Sequence, residues 1–166
     1  GPGTDVDPPS GGYGAILRRG TGGYYVNGVV ARWPKGAFGL RDAATQTRIT
    51  DGVFDVQNIL VVETPSIFTT ASSGFVLADS VARNIIRDAA ATTASLFTTF
   101  TMPATAATSF DWTPTAGSLA ATGGLTTFTG NLATAAGTFV AGTAYRGAAA
   151  PGGVKWWLGW TNYAKN

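Results

Sequence analysis

Two segments of this chain follow the same plan thirty positions apart. Residues 24–34 carry aromatic and β-branched side chains, an asparagine at Asn27 and a closing proline, and residues 54–65 repeat that order around Asn58. A small-residue turn and a short apolar strand follow each segment. A period in the twenties or low thirties is typical of stacked coils that bury their inward side chains on one another. We therefore predict an all-β fold, a parallel β-solenoid (right-handed β-helix) segment over residues 13–78.

The flanking sequence predicts an arm, an inserted loop and a tail. Residues 1–12 contain three prolines and no apolar periodicity, as in an extended arm or linker. We predict that residues 41–52 form a loop between coils, with a short helical turn near 45–49. Residues 79–166 form one short helix, over 79–91 with Asp79 as N-cap, followed by an irregular Thr/Ala/Gly-rich tail that wraps and caps the same domain. At most one or two short helices are expected.

Two alternatives remain open at this stage. The repeated segments are also compatible with two similar hairpins in a β-sandwich whose likeness arose from composition alone. The stretch around residues 75–77 is strand-like, so a further coil could replace part of the predicted helix.

The chain has few charges. Charged residues make up 12% of it, and eleven basic and nine acidic residues give a net charge of +2, whereas soluble domains average about 25% charged residues. The basic residues are not clustered, which argues against nucleic-acid binding and a polybasic membrane anchor. No apolar run is long enough to span a membrane. So little charge predicts a surface that is covered by a protein partner or by self-assembly.

The chemistry available to the chain is narrow. It contains no cysteine and no histidine, which excludes thiolate, disulfide, imidazole-metal and histidine-based catalysis. The acidic residues show no spacing suggestive of a catalytic pair. The Gly-rich stretch at 20–23 lacks the lysine and helix of a phosphate loop. The sequence therefore predicts a protein that is not an enzyme, with no catalytic, cofactor-binding or metal-binding residues.

A resemblance adds to these expectations. The segments that carry it are LRRGTGGYYVNGV at 17–29, WPKG at 33–36, DWTP at 111–114, residues 137–148, KWW at 155–157 and GWT at 159–161. In these the chain resembles the C-terminal region of large exported bacterial proteins that look like right-handed parallel β-helices. The resemblance implies an extracytoplasmic location, in the periplasm, at the outer surface or secreted. It also implies missing N-terminal coils and hence an open solenoid edge that something must cover.

Large aromatic residues are the remaining interaction candidates. They are Tyr24, Tyr25, Trp33, Trp156, Trp157 and Trp160, and a core or interface role is the simpler reading for them than stacking on sugars. We expect a non-catalytic structural or scaffolding subunit of a bacterial extracytoplasmic assembly, docking on a protein partner through the open edge and these aromatics. The alternatives are an outer-surface glycan-binding module and, third, a vestigial polysaccharide-active enzyme.

Overall fold

The computed structural model describes residues 11–69, 77–99 and 111–158. Four strands come first along these ranges, and helices follow or separate the later strands. The strands are β1 (Tyr13–Leu17), β2 (Gly23–Val26), β3 (Val29–Ala31), β4 (Gly36–Leu40), β5 (Phe54–Gln57), β6 (Leu60–Val62) and β7 (Ile86–Asp88). The α-helices are α1 (Ala43–Thr50), α2 (Leu77–Ala82), α3 (Thr93–Leu96) and α4 (Gly130–Ala136), with a 3₁₀ turn at Leu119–Ala121.

Every strand pair is parallel. The sheets are β1–β4, β2–β5 and β3–β6–β7. Gly23 faces Phe54 and Val29 faces Leu60, so residues paired between β2 and β5 and between β3 and β6 are 31 apart in sequence. The two segments that repeat one plan therefore lie side by side, joined by backbone hydrogen bonds.

The prediction of an all-β parallel β-solenoid was wrong. The described residues form three small sheets of two, two and three strands, none of them closed, together with four α-helices. This is a small mixed α/β fold, and the number of helices in the described residues is greater than the one or two expected. The physical reason lies in composition: β-branched and aromatic runs support short strands up to Asp88, whereas the Thr/Ala/Gly-rich sequence beyond it forms helices and irregular chain in the described ranges.

Two helices differ from their predicted bounds. The turn expected at 45–49 is the full helix α1, which begins after Asp42, whose carboxylate accepts a hydrogen bond from the Thr45 N–H at 2.9 Å. The helix predicted over 79–91 ends at Ala82, and Asp79 lies inside it. Beyond it Ile86 pairs with Leu60 in a parallel ladder. Pairing with a buried neighbouring strand outweighed the local helical periodicity of residues 85–88.

The core has two parts because β6 is buried on both faces. Val61 packs in a cluster with Phe38, Phe54 and Val56. Leu60 and Val62 point the other way, towards Leu96 of α3 and Ala120 of the 3₁₀ turn. The second half of the chain thus covers the outer face of the three-stranded sheet. None of the helices in the described ranges has the length and apolar character of a membrane span.

Two asparagines bind the second half of the chain to the first. Asn27 and Asn58 occupy corresponding bends, with φ of 55° and 54°, a left-handed conformation that asparagine tolerates. The Asn27 amide donates to Leu125 O and Thr143 Oγ1, both at 3.1 Å, and its oxygen accepts from Leu125 N at 2.6 Å. The Asn58 amide donates to Gly123 O at 3.0 Å. These bends therefore serve as docking points.

Arg146 completes the contact. Its side chain is buried, with 2% of its surface exposed, and its guanidinium donates to the carbonyls of Asn58 (3.1 Å), Leu119 (3.3 Å) and Thr122 (3.2 Å). Burial lowers the pKa of Arg146, yet an arginine stays protonated in a protein. The carbonyl dipoles thus stabilise a buried cation. We call Asn27, Asn58 and Arg146 with their partners the polar junction.

We expect Asn27→Ala to destabilise the fold by about 3 kcal/mol, from lost hydrogen bonds and left-handed backbone strain. Asn84→Ala is the matched control, because Asn84 also has a positive φ (52°) but is exposed. Within the described residues its side chain makes no hydrogen bond, so only the strain of about 1 kcal/mol applies there. Urea unfolding measures both, and equal losses would contradict the docking role of Asn27.

Candidate binding site

An open groove of about 420 Å³ lies on the outer face of the β3–β6–β7 sheet. Four indoles and a phenyl ring are among the side chains that line it. Its lining residues are Val29, Ala31, Trp33, Thr93, Phe97, Trp112, Gly147, Ala148, Ala149, Trp156 and Trp157. We call this the aromatic groove.

Strand β3 and the turn after it form one wall. Val29 and Ala31 point to the face opposite Val30, which belongs to the main core. Trp33 follows directly, and its backbone N–H donates to the Thr64 hydroxyl at 3.2 Å. The alternation of side chains along β3 therefore sends its small residues into the groove.

The opposite wall comes from distant parts of the chain. Residues 97–99 run beside residues 111–114, through a bridge between Phe97 and Pro114 and a hydrogen bond from Thr99 N to Asp111 O at 2.8 Å. Phe97 and Trp112, one from each of these two segments, both line the groove. The small residues at 147–149 also line the groove, and their short side chains occupy little of its space.

Trp156 and Trp157 have different environments. Their rings meet edge to face, with centroids 5.7 Å apart and planes at 82°, a favourable aromatic geometry. Trp157 is buried with 3% exposed, whereas Trp156 is 49% exposed and Trp112 39%. The Trp156 indole N–H donates to Ala148 O at 2.9 Å, which orients the ring. Trp157 is therefore a packing residue, and Trp156 and Trp112 present accessible faces.

An ion pair joins the segments that carry these two indoles. The Lys155 ammonium lies 2.8 Å from the Asp111 carboxylate, which also accepts from the Thr113 N–H (2.9 Å) and hydroxyl (2.6 Å). Desolvation acts to raise the pKa of Asp111, but Lys155 and the Thr113 hydrogen bonds outweigh it and lower that pKa. The bridge thus connects the residues immediately before Trp112 and Trp156.

The surface that the groove presents is mainly apolar. None of its lining residues in the described part of the chain is ionisable. Thr93, its one hydroxyl residue there, donates to Glu63 Oε2 at 2.6 Å, and this hydrogen bond lowers the pKa of Glu63. The arrangement supplies stacking and dispersion contacts and offers no general acid or base. That the chain is not an enzyme and takes no cofactor or metal stays a prediction.

The structure brings together three of the six aromatic candidates. Trp33, Trp156 and Trp157 share the groove, and Trp160 lies outside the described residues. Tyr25 packs against Phe38 and Phe54, with ring centroids 6.5 and 5.9 Å away. Tyr24 lines a different cavity and donates to Gly52 O at 2.6 Å.

The interaction candidates chosen from the sequence did not include Trp112 and Phe97, which both line the groove. The signal available was the Asp111-Trp112-Thr113-Pro114 turn, in which the aspartate side chain bonds forward to Thr113. That turn fixes Trp112 locally. The ion pair between Lys155 and Asp111 joins its segment to that of Trp156, and nothing local in the sequence indicates that contact.

No family model, curated protein or solved structure matches this chain. The resemblance to exported bacterial β-helical proteins therefore stays a prediction, as does the extracytoplasmic location it implies.

We expect acid to destabilise the fold partly through Asp111. Folding lowers the carboxyl pKa values of Asp42, Glu63 and Asp111. Their stabilisation is complete above the ordinary carboxyl pKa of about 4 and is lost as the pH falls through the lower folded values. Asp111→Asn should lose less than about 1 kcal/mol at pH 7, because Lys155 is partly exposed, and should show a shallower decline below pH of about 4.

Urea unfolding at a series of pH values measures this decline. Asp51→Asn is the control, since Asp51 is exposed and its carboxylate accepts no hydrogen bond from residues 11–69, 77–99 or 111–158. An Asp111→Asn variant whose acid decline matches that of the wild-type chain would contradict the role of the ion pair.

Proposed function

We propose that this chain is a non-catalytic structural or scaffolding subunit of a bacterial extracytoplasmic assembly, which docks on a protein partner. The observation that carries the proposal is the aromatic groove, whose described lining is uncharged and whose indoles at Trp112 and Trp156 are partly exposed. Aromatic-lined grooves of this kind suit extended peptide segments. The occupant we propose is an extended, uncharged segment of the partner, such as one rich in proline.

Polar groups in the groove favour a peptide over a sugar. The Thr93 hydroxyl and the Trp156 indole N–H already donate within the chain. The Trp33 indole N–H meets no acceptor in the described ranges. This donor beside apolar faces suits one backbone carbonyl of an extended segment. A buried sugar would leave several hydroxyls unsatisfied there, at a cost for each.

Open strand edges support the scaffolding role. Within the described ranges β2 pairs only with β5, and β3 pairs on one side only, with β6. Their residues are half-buried or exposed, whereas those of β6 are fully buried. Unpaired edges of short strands are templates for added strands. The low charge content of 12% leaves little repulsion against such contacts.

We expect a proline decamer to bind the groove and shift tryptophan fluorescence saturably to shorter wavelength. Trp156→Ala should weaken that binding about tenfold or more, because an interface tryptophan contributes about 2 kcal/mol or more. Phe139→Ala is the control: it removes a ring that is 96% exposed and lies outside the groove lining. Titration with a neutral oligosaccharide of similar length should leave the Trp156-dependent signal unchanged.

Two results would overturn this assignment. A saturable, Trp156-dependent shift with the oligosaccharide alone would favour the glycan-binding alternative. Equal binding of the decamer to the wild-type chain and to Trp156→Ala would show that the groove is not the docking site.

We also expect the purified chain to self-associate reversibly. Large apolar side chains are exposed at Val81, Phe139 and Val154, and the open edges add unpaired backbone groups. Sedimentation velocity over a wide concentration range should show an average mass that rises with concentration. A sharp monomer at high concentration would count against the scaffolding role.

A further inference from the structure

A second, smaller cavity lies away from the aromatic groove and shares no lining residue with it. Its volume is about 220 Å³. Its walls come from β2, the turn after α1, β5, the end of α2 and the start of α4. Its lining includes polar and aromatic residues and one glycine: Tyr24, Gly52, Asp55, Gln57, Thr129 and Asn131, with Arg83 beside Asp55. We call this the polar pocket.

The charges of the polar pocket cancel. The Arg83 guanidinium lies 2.6 Å from Asp55 Oδ1, which also accepts from the Val56 N–H at 2.8 Å. The other carboxylate oxygen accepts from the Gln57 amide at 2.6 Å. Both Asp55 oxygens are therefore engaged, and the ion pair leaves the pocket without net charge. Because Asp55 and Arg83 are paired with each other, the pocket offers no free counter-charge to a charged ligand.

Two side chains are held by one carbonyl. The Tyr24 hydroxyl donates to Gly52 O at 2.6 Å, and the Asn131 amide donates to the same oxygen at 2.9 Å. Gly52 has φ of +69°, and a Cβ there would lie 2.7 Å from Asn131 Nδ2. Glycine is thus required for the approach, which pre-orients a phenol ring and an amide in one wall.

Three side chains of this pocket have polar atoms that make no hydrogen bond within the described ranges. Gln57 Oε1 and Asn131 Oδ1 accept no hydrogen bond from any residue of the described ranges. The Thr129 hydroxyl likewise makes none within those ranges. Two acceptors and a hydroxyl therefore remain in a cavity that also contains an aromatic ring.

We infer that the polar pocket binds a neutral polyhydroxylated ring, a single sugar residue of a glycan. The Tyr24 ring gives an apolar face for the C–H side of a pyranose, while the amide oxygens and the Thr129 hydroxyl meet its hydroxyls. A volume of about 220 Å³ is below the roughly 300–1,000 Å³ of pockets for drug-sized ligands, as suits one ring. This site is independent of protein docking at the aromatic groove.

The test is a side-chain amide NMR titration of the full chain with methyl β-glucopyranoside, methyl β-galactopyranoside and N-acetylglucosamine. We expect at least one of them to shift the Gln57 and Asn131 amide signals saturably in the millimolar range. Glucuronate, a charged ring of similar size, should bind more weakly. Thr129→Val should weaken binding about tenfold for the loss of one hydrogen bond.

Two controls separate this site from other effects. Thr134→Val changes a hydroxyl on the same helix that donates to Gly130 O at 3.3 Å and lies outside the pocket, so binding should persist. Trp156→Ala should also leave sugar binding intact. This variant therefore distinguishes a failure of sugar binding at the polar pocket from a failure of peptide docking at the aromatic groove. No amide shift with any of the three neutral sugars, shifts confined to indole signals, or equal binding of glucuronate would overturn the inference.

Discussion

The structure depends on a buried arginine held by backbone carbonyls. Arg146 lies 88 residues from Asn58 in sequence and donates to its carbonyl as well as to those of Leu119 and Thr122. Because a buried cation is costly unless its donors are satisfied, this geometry permits few alternative arrangements. The asparagine side chains at 27 and 58 meet the same part of the second half. These hydrogen bonds thereby hold the parallel strands of the first half and the irregular second half together.

The aromatic groove is a consequence of that junction. Gly147, which follows the arginine, donates its N–H to Asn27 O at 2.6 Å, and the small residues of the groove come directly after it. The chain then reaches Lys155, whose ion pair with Asp111 joins the segments that carry Trp156 and Trp112. A change at the junction should therefore displace the groove even though Arg146 does not line it.

The two cavities differ in the kind of ligand that their chemistry favours. The groove presents rings and small apolar residues with its hydroxyl and the Trp156 indole already engaged, which suits an extended protein segment. The polar pocket combines a neutralised ion pair with spare amide oxygens, which suits a sugar ring. The two proposals therefore assign different contacts to the two cavities, a protein segment to the groove and a sugar ring to the polar pocket.

The sequence alone determined the short strands of the first half and the matching of its two repeated segments, because β-branched and aromatic residues at regular spacing favour extended chain. It also determined the low charge. Tertiary structure decided that residues 86–88 form a strand and that the Thr/Ala/Gly-rich half is partly helical, so that the fold is mixed rather than all-β. It alone decided which aromatics share the groove: the segments of Trp112 and Trp156 are joined by an ion pair between Asp111 and Lys155, which are 44 residues apart. Local sequence sets backbone preferences, whereas contacts between distant segments depend on how buried polar groups find partners.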